Sequence, residues 1–273
     1  PALTSQLTAK LKRAARQTTA KDFRAKTSVQ LSEAPTLEKV NEGGEYRYGS
    51  MADAKESYAI ETYGKIFGIS RKAIINDDIG AFSDLAGKLG QAAADFEAQF
   101  LVDLIVKNSG AGPTMGDGTT LFHATRNNSV TGATGAIDVT KLSQARLAMR
   151  RQKGLAGRAI NVVPKFLIVP PERETEAEQI LAAIQATAST DVNVFSGKME
   201  LLVESRLSSA LRWYIAADPA SVDGLEYAYL QGSEGPQIET RTGFEVDGVE
   251  TKVRLDFGAA FLDWRSWWTN SGA

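Results

Sequence analysis

Residues 43–72 read GGEYRYGSMADAKESYAIETYGKIFGISRK. Tyr46, Tyr48, Tyr58, Ile60 and Thr62 fall at alternating positions, the period of a strand with two unlike faces. Between them the polar run SMADAKE turns the chain back on itself. The pattern predicts a long hairpin, with Gly43, Gly44 and Gly49 flanking the first arm and Gly64 and Gly68 the second. A lone two-stranded hairpin is marginal in water, and this one brings no core of its own. Its side chains Glu45, Tyr46, Arg47, Tyr48, Lys55, Tyr58, Ile60 and Glu61 are therefore expected to lie against another surface.

Working outward, residues 78–107 predict a helix of about 45 Å at 1.5 Å per residue. Asp77 or Asp78 caps it, and Asn108, Gly110, Gly112 and Pro113 close it. Phe82, Leu85, Leu89, Ala92, Phe96, Phe100 and Leu104 form a bulky stripe at helical spacing. Nearly opposite, Gly87, Gly90, Ala94 and Ala98 form a stripe of small residues, an expected face for close approach of another backbone. Each glycine costs the helix about 1 kcal/mol relative to alanine.

On the other side of the hairpin lies a basic arm. Residues 1–30 contain seven Lys/Arg, among them Lys10, Lys12, Arg13 and Arg16, against one acid, Asp22. The arm carries +6 and the remaining chain −8. Such asymmetry suits an acidic protein surface or nucleic acid. Leu3, Leu7 and Leu11 at helical spacing also fit a solvated amphipathic helix.

Residues 109–136 read as a glycine-rich loop. A helix capped at Thr140 and ending near Gly154 follows, then a buried strand in AINVVPKFLIVPP (159–171) and a helix in ERETEAEQILAAIQAT (172–187). Short strands are expected around Met199–Val203, Trp213–Ala217 and Leu225–Leu230. VDGV (246–249) marks a hairpin turn before an aromatic C-terminal cluster. The class is α+β, with separated helices and antiparallel strands.

Function classes fall away in turn. The chain has no Cys and one His, which excludes disulfides and thiol nucleophiles and makes a transition-metal site or His-based triad implausible. No GxSxG elbow or phosphate loop occurs. Asp77–Asp78 read better as a helix cap than as a catalytic pair. Asp191 and Asn193 have Phe and Ser where a calcium loop needs a ligand and a glycine. Trp264, Trp267 and Trp268 are expected in core or interface. No apolar run reaches the roughly 18 residues of a membrane helix. The expectation is a structural protein that contacts copies of itself, with no enzymatic activity, cofactor or membrane.

Specific sequence sharpens this. AKDFRAKTSVQL (20–31), VPPERETEAEQIL (169–181), NVFSGKMELLVESRL (193–207) and the segment 213–265, with DGVETKVRLDFGAAFLDWR (247–265) its most diagnostic part, resemble tailed-phage major capsid proteins of the Hong Kong 97-type fold. The likeness is to the Mu-like head-subunit branch, including fusions behind a prohead protease. It implies an N-terminal arm (1–36), an extended hairpin loop lying over a neighbouring subunit (37–77) and a peripheral domain (78–136) with spine helix 78–107. It further implies an axial domain (137–236) and a return to the peripheral domain (237–273). Implied partners are copies of the chain in pentamers and hexamers, a portal, decoration proteins, and packaged DNA held without sequence-specific contact. The implied location is the virion, after assembly in the host cytoplasm, with Pro1 following a removed scaffolding segment. Encapsulin shells are the alternative. Family members that cross-link use Lys–Asn isopeptide bonds; Lys39 and Lys55 lie in or near the loop, with no matching Asn or Glu.

Overall fold

The computed structural model describes residues 10–31, 53–76, 85–132, 136–182, 197–243 and 247–272. After a 3-10 turn at Leu11–Ala14, the chain forms β1 (Arg16–Ala20), β2 (Lys26–Leu31), β3 (Asp53–Tyr58) and β4 (Glu61–Ser70). Short α1 (Arg71–Ile75) and long α2 (Leu85–Gly110) follow. Beyond β5 (Ser129–Val130) come α3 (Val139–Arg150), β6 (Pro164–Val169), α4 (Glu174–Leu181) and β7 (Glu200–Val203). The last strands are β8 (Trp213–Ala217), β9 (Leu225–Leu230), β10 (Gln237–Thr242), β11 (Gly248–Phe261) and β12 (Trp267–Asn270).

The strands form two five-stranded sheets and one separate hairpin. In the first sheet β11 is the axis. One edge pairs with β4 from Gly248↔Ser70 to Phe257↔Glu61, and the other pairs with β10 and then β9. β1 completes it, parallel to β9. Gly64 is required here: a Cβ would stand 2.8 Å from the Val253 carbonyl oxygen. The second sheet runs β5-β12-β8-β6-β7. Its adjacent residues Trp267 and Trp268 point to opposite faces, as alternation demands. Trp267 enters a core shared with α2 and the first sheet, and Trp268 one shared with α3 and α4.

The expected hairpin needs correction. β3 pairs with β2, from Lys26↔Tyr58 to Leu31↔Asp53, so the partner of 53–58 lies upstream of 43–48. Glu45, Tyr46, Arg47 and Tyr48 lie outside the described residues, as does Lys39. The second arm beyond Tyr58 is no free loop, because the same period-two pattern lets β4 join β11. Ile60 is buried against Ala20 and Ala228, whereas Glu61 is exposed.

The long helix is described from Leu85, so its expected start at 78, the Asp77–Asp78 cap and Phe82 lie outside the described residues. Helical geometry ends at Lys107, whose ψ of 153° is extended, and Asn108 and Ser109 take positive φ. Within the subunit the small-residue face is close-packed only in part. A Cβ on Gly90 would meet nothing within 4 Å, and Gly87 is exposed. Ala98 is buried beside Leu101, Val102 and Ile105, and Ala94 is half-buried. The bulky stripe also differs, since Phe96 stays partly exposed while Glu97 is buried. Spacing alone identified two unlike faces without showing which one the sheet covers.

Three smaller differences follow. Asp138, not Thr140, caps α3 by accepting from Lys141 N–H at 2.7 Å. β10 and β11 close at Thr242↔Val249, leaving a wider turn than VDGV predicts. The expected division at 236/237 does not follow the sheets: β9 belongs with β11, and β12 with β8.

Candidate inter-subunit interface

The site is built at the root of the β2–β3 hairpin, where one carboxylate gathers three elements. Glu226 sits in β9 (LEYAYL) among apolar and aromatic neighbours, 2% exposed. Its Oε2 accepts from Arg16 Nε and Nη2 at 2.9 and 2.7 Å. Its Oε1 accepts from Lys26 Nζ at 2.8 Å and Tyr58 Oη–H at 2.7 Å. Lys26 Nζ also donates to Thr18 at 2.9 Å. Arm, both hairpin strands and sheet thus meet on one side chain. A buried carboxylate is costly unless paired, which is why four donors converge. Burial pushes the Glu226 carboxyl up, but hydrogen bonds from Lys26, Tyr58 and Arg16 outweigh it, holding the group below the usual carboxylate range. The Tyr58 hydroxyl moves up, by burial and then by its bond to Glu226.

Further along the hairpin, Glu56 accepts from Gly116 N–H at 2.8 Å and Gln30 Nε2 donates to the Leu262 carbonyl at 2.9 Å. Gly116 is obligatory at that approach, because a Cβ would lie 2.7 Å from the Lys55 carbonyl oxygen. Burial raises the Glu56 carboxyl; the Gly116 bond opposes this and Asp117 adds to it. Behind lies a stacked group: Arg126 and Arg265 guanidinium carbons stand 5.0 and 4.4 Å from the Trp264 ring centroid. Arg126 Nη2 reaches both Asp117 oxygens at 2.6 and 2.7 Å.

Three of the four expected arm residues, Lys12, Arg13 and Arg16, pair with acids of the subunit itself. Lys12 pairs with buried Glu97 and donates to Tyr229 Oη at 3.0 Å, while Tyr229 donates to Glu97 at 2.8 Å. Arg13 pairs with Glu200, and Arg16 with Asp223 as well as Glu226. Lys10 precedes the 3-10 turn without a side-chain cap. Of the expected hairpin contacts, Tyr58 and Ile60 face the subunit's own sheet, and Lys55 and Glu61 remain exposed. Sequence reading missed Glu97, Glu226 and Glu56. The available signal was a lone acid inside an apolar run, as in LEYAYL (225–230), for which a basic arm is the natural partner.

His123 is exposed, with Nδ1 2.8 Å from Thr125 Oγ1 at the start of a 3-10 turn. Among the described residues no cluster of His, Asp or Glu is arranged to hold a metal, and no helix is long and apolar enough to cross a membrane.

Two five-stranded sheets, a long helix across one of them and a hairpin clamped at its root define a capsid subunit of the Hong Kong 97-type fold. The capsid of Cyanophage P-SCSP1u is similar at a TM-score of 0.68 and 10% identity, over 95% of this chain and 86% of that one. The capsid of a native GTA particle computed with C5 symmetry is similar at 0.62 and 9%, over 96% and 89%. The holo-SrpI encapsulin complex of Synechococcus elongatus PCC 7942 is similar at 0.62 and 10%, over 96% and 86%. No curated protein sequence matches. The family described as phage capsid protein matches residues 54–270, and the chain belongs to it.

Proposed function

We propose that this chain is the major head subunit of a tailed phage, building pentamers and hexamers of an icosahedral shell around double-stranded DNA. The observation that carries the reading is the family match, which spans most of the chain and both sheets. The likeness to a capsid computed with C5 symmetry supports five-fold rings. Its role is structural rather than enzymatic, exercised through contacts between copies. The β2–β3 root clamped on Glu226 is the described part of the extended loop, 37–77 by resemblance, that contacts the adjacent copy. Portal and decoration proteins are further partners, DNA is held without sequence-specific contact, and assembly occurs in the host cytoplasm before incorporation into the virion. Within the family we place the chain in the Mu-like branch on the C-terminal segment 247–265.

Electron microscopy of purified protein tests this: closed shells or five- and six-membered rings are expected. A monomer at every concentration and salt would overturn it. The encapsulin likeness supports a second reading, a shell around protein cargo. Shells from the native source that contain an enzyme and no DNA would favour it.

A further inference from the structure

α3 and α4 cover the same face of the second sheet, since Leu142 and Met149 share one core with Ala177, Trp213 and Trp268. They occupy opposite margins of that face. α3 packs on β12, whereas α4 packs on β6 and β7. Their beginnings meet where Ile137 N–H donates to Glu176 Oε1 at 2.8 Å. The last turn of α3 lies about 16 Å further along its own axis.

Charge divides between the margins. Residues 139–158 contain six Lys/Arg and no acid, and residues 172–178 contain four Glu and one Arg. On the α3 side Arg150, Arg151 and Lys153 are exposed and form no ion pair among the described residues. On the α4 side the same holds for Glu172 and Glu178. The loop after α3 is held firmly: Gln152 Nε2 donates to the Arg126 carbonyl at 2.8 Å, and Arg265 Nε to the Lys153 carbonyl at 2.7 Å. Its bases are therefore displayed on a fixed backbone. Leu147, one turn before Arg151, is 52% exposed.

We propose that the basic margin of one subunit receives the acidic margin of the next copy in the same ring, a contact that rests on the shell-building reading above. Two different, complementary patches on one chain make a head-to-tail interface, which closes into a ring when the rotation allows. Opposite charge fixes its register and disfavours wrong pairings. An exposed leucine among the bases suits a protein partner, because interface centres are apolar with polar rims. A phosphate backbone would contact the bases alone.

Charge reversal of the full chain, read by native mass spectrometry and electron microscopy, tests the proposal. Arg151→Glu with Lys153→Glu, and separately Glu172→Lys with Glu178→Lys, should each raise the concentration needed for rings at least ten-fold. Combining all four changes should restore rings. Mixing the two double variants should restore six-membered rings, in which acidic and basic copies alternate, but not five-membered ones, which cannot alternate. A misfolded variant could not be rescued by mixing, so rescue separates lost charge from lost fold. Arg151→Gln with Lys153→Gln should show the same defect at smaller size. Unchanged rings from both reversals overturn the proposal. Rings that persist while Arg151→Glu with Lys153→Glu loses bound double-stranded DNA overturn it in favour of a nucleic-acid surface. A parent chain that never forms rings removes the shell-building reading, and this contact with it.

Discussion

The face of the second sheet under Trp213 and Trp268 and the root of the β2–β3 hairpin are held by opposite means. At the former, two indoles lie 5.2 Å apart over Leu167, Val169 and Met149, a core with hardly a charge in it. Apolar burial is non-directional and independent of pH and salt to first order. At the latter, Arg16, Lys26 and Tyr58 converge on one carboxylate. Such bonds fix direction, yet each can be released by one proton or one rotation.

The difference can be broken from either side. Trp268→Ala should cost about 3–5 kcal/mol, the range for truncating a large buried aromatic, and should lower the unfolding midpoint of the whole subunit in urea. If the midpoint barely moves, the indole core is not the anchor.

Glu226→Gln keeps shape but strands two cations. Removing one partner of a fully buried pair costs about 3–5 kcal/mol. Arg16 and Lys26 are 42% and 31% exposed, so screening reduces this to about 2 kcal/mol. The loss should be local: amide exchange in β2 and β3 should accelerate more than global unfolding. Equal effects would mean that the root is continuous with the core.

Acid should sharpen the contrast within the hairpin itself. Glu226 is held below its ordinary range, so its contribution is complete above the unfolded value of about 4.3 and is lost as pH falls through the lower folded value. Glu56 has the opposite sign. Its carboxyl is raised, so ionisation works against the fold and protonation on descending pH relieves it. Amide protection at Lys26 and Tyr58 should fall below about pH 4 while that of Gly116 holds. Parallel loss at both places would refute the opposed signs.

The smallest effect concerns α2. Gly90→Ala places a methyl in open space and should raise stability by about 0.5–1 kcal/mol. If assembly of the stabilised variant nonetheless fails, another copy approaches that face in the shell.

Much of the fold was legible. The apolar runs at 164–169 and 213–217 and the aromatic strand 225–230 are strands, because burial on both faces leaves few other readings for such short segments. Pairing was not legible. The alternation through Tyr58, Ile60 and Thr62 was seen, but alternation says that a strand exists and is silent about its neighbour. Its two halves therefore went to one hairpin instead of to β2 and β11. The clamp was missed for a related reason: LEYAYL marks Glu226 as an acid awaiting partners, but only the sheet shows that Arg16 and Lys26 supply them.

One pairing has a consequence in time. β1 runs parallel to β9, and the Arg16–Glu226 bond spans 210 residues. Closing so long a loop carries an entropic cost that only late contacts repay, and such non-local pairing slows folding. On a ribosome β1 emerges long before β9 and must wait, charged and undocked, until residue 230 has followed it out. Only a chain synthesised past β9 can close the root of its hairpin, so a product truncated before β9 carries β2 and β3 without the carboxylate that clamps them. Synthesis of β9 then acts as a checkpoint on clamping the hairpin.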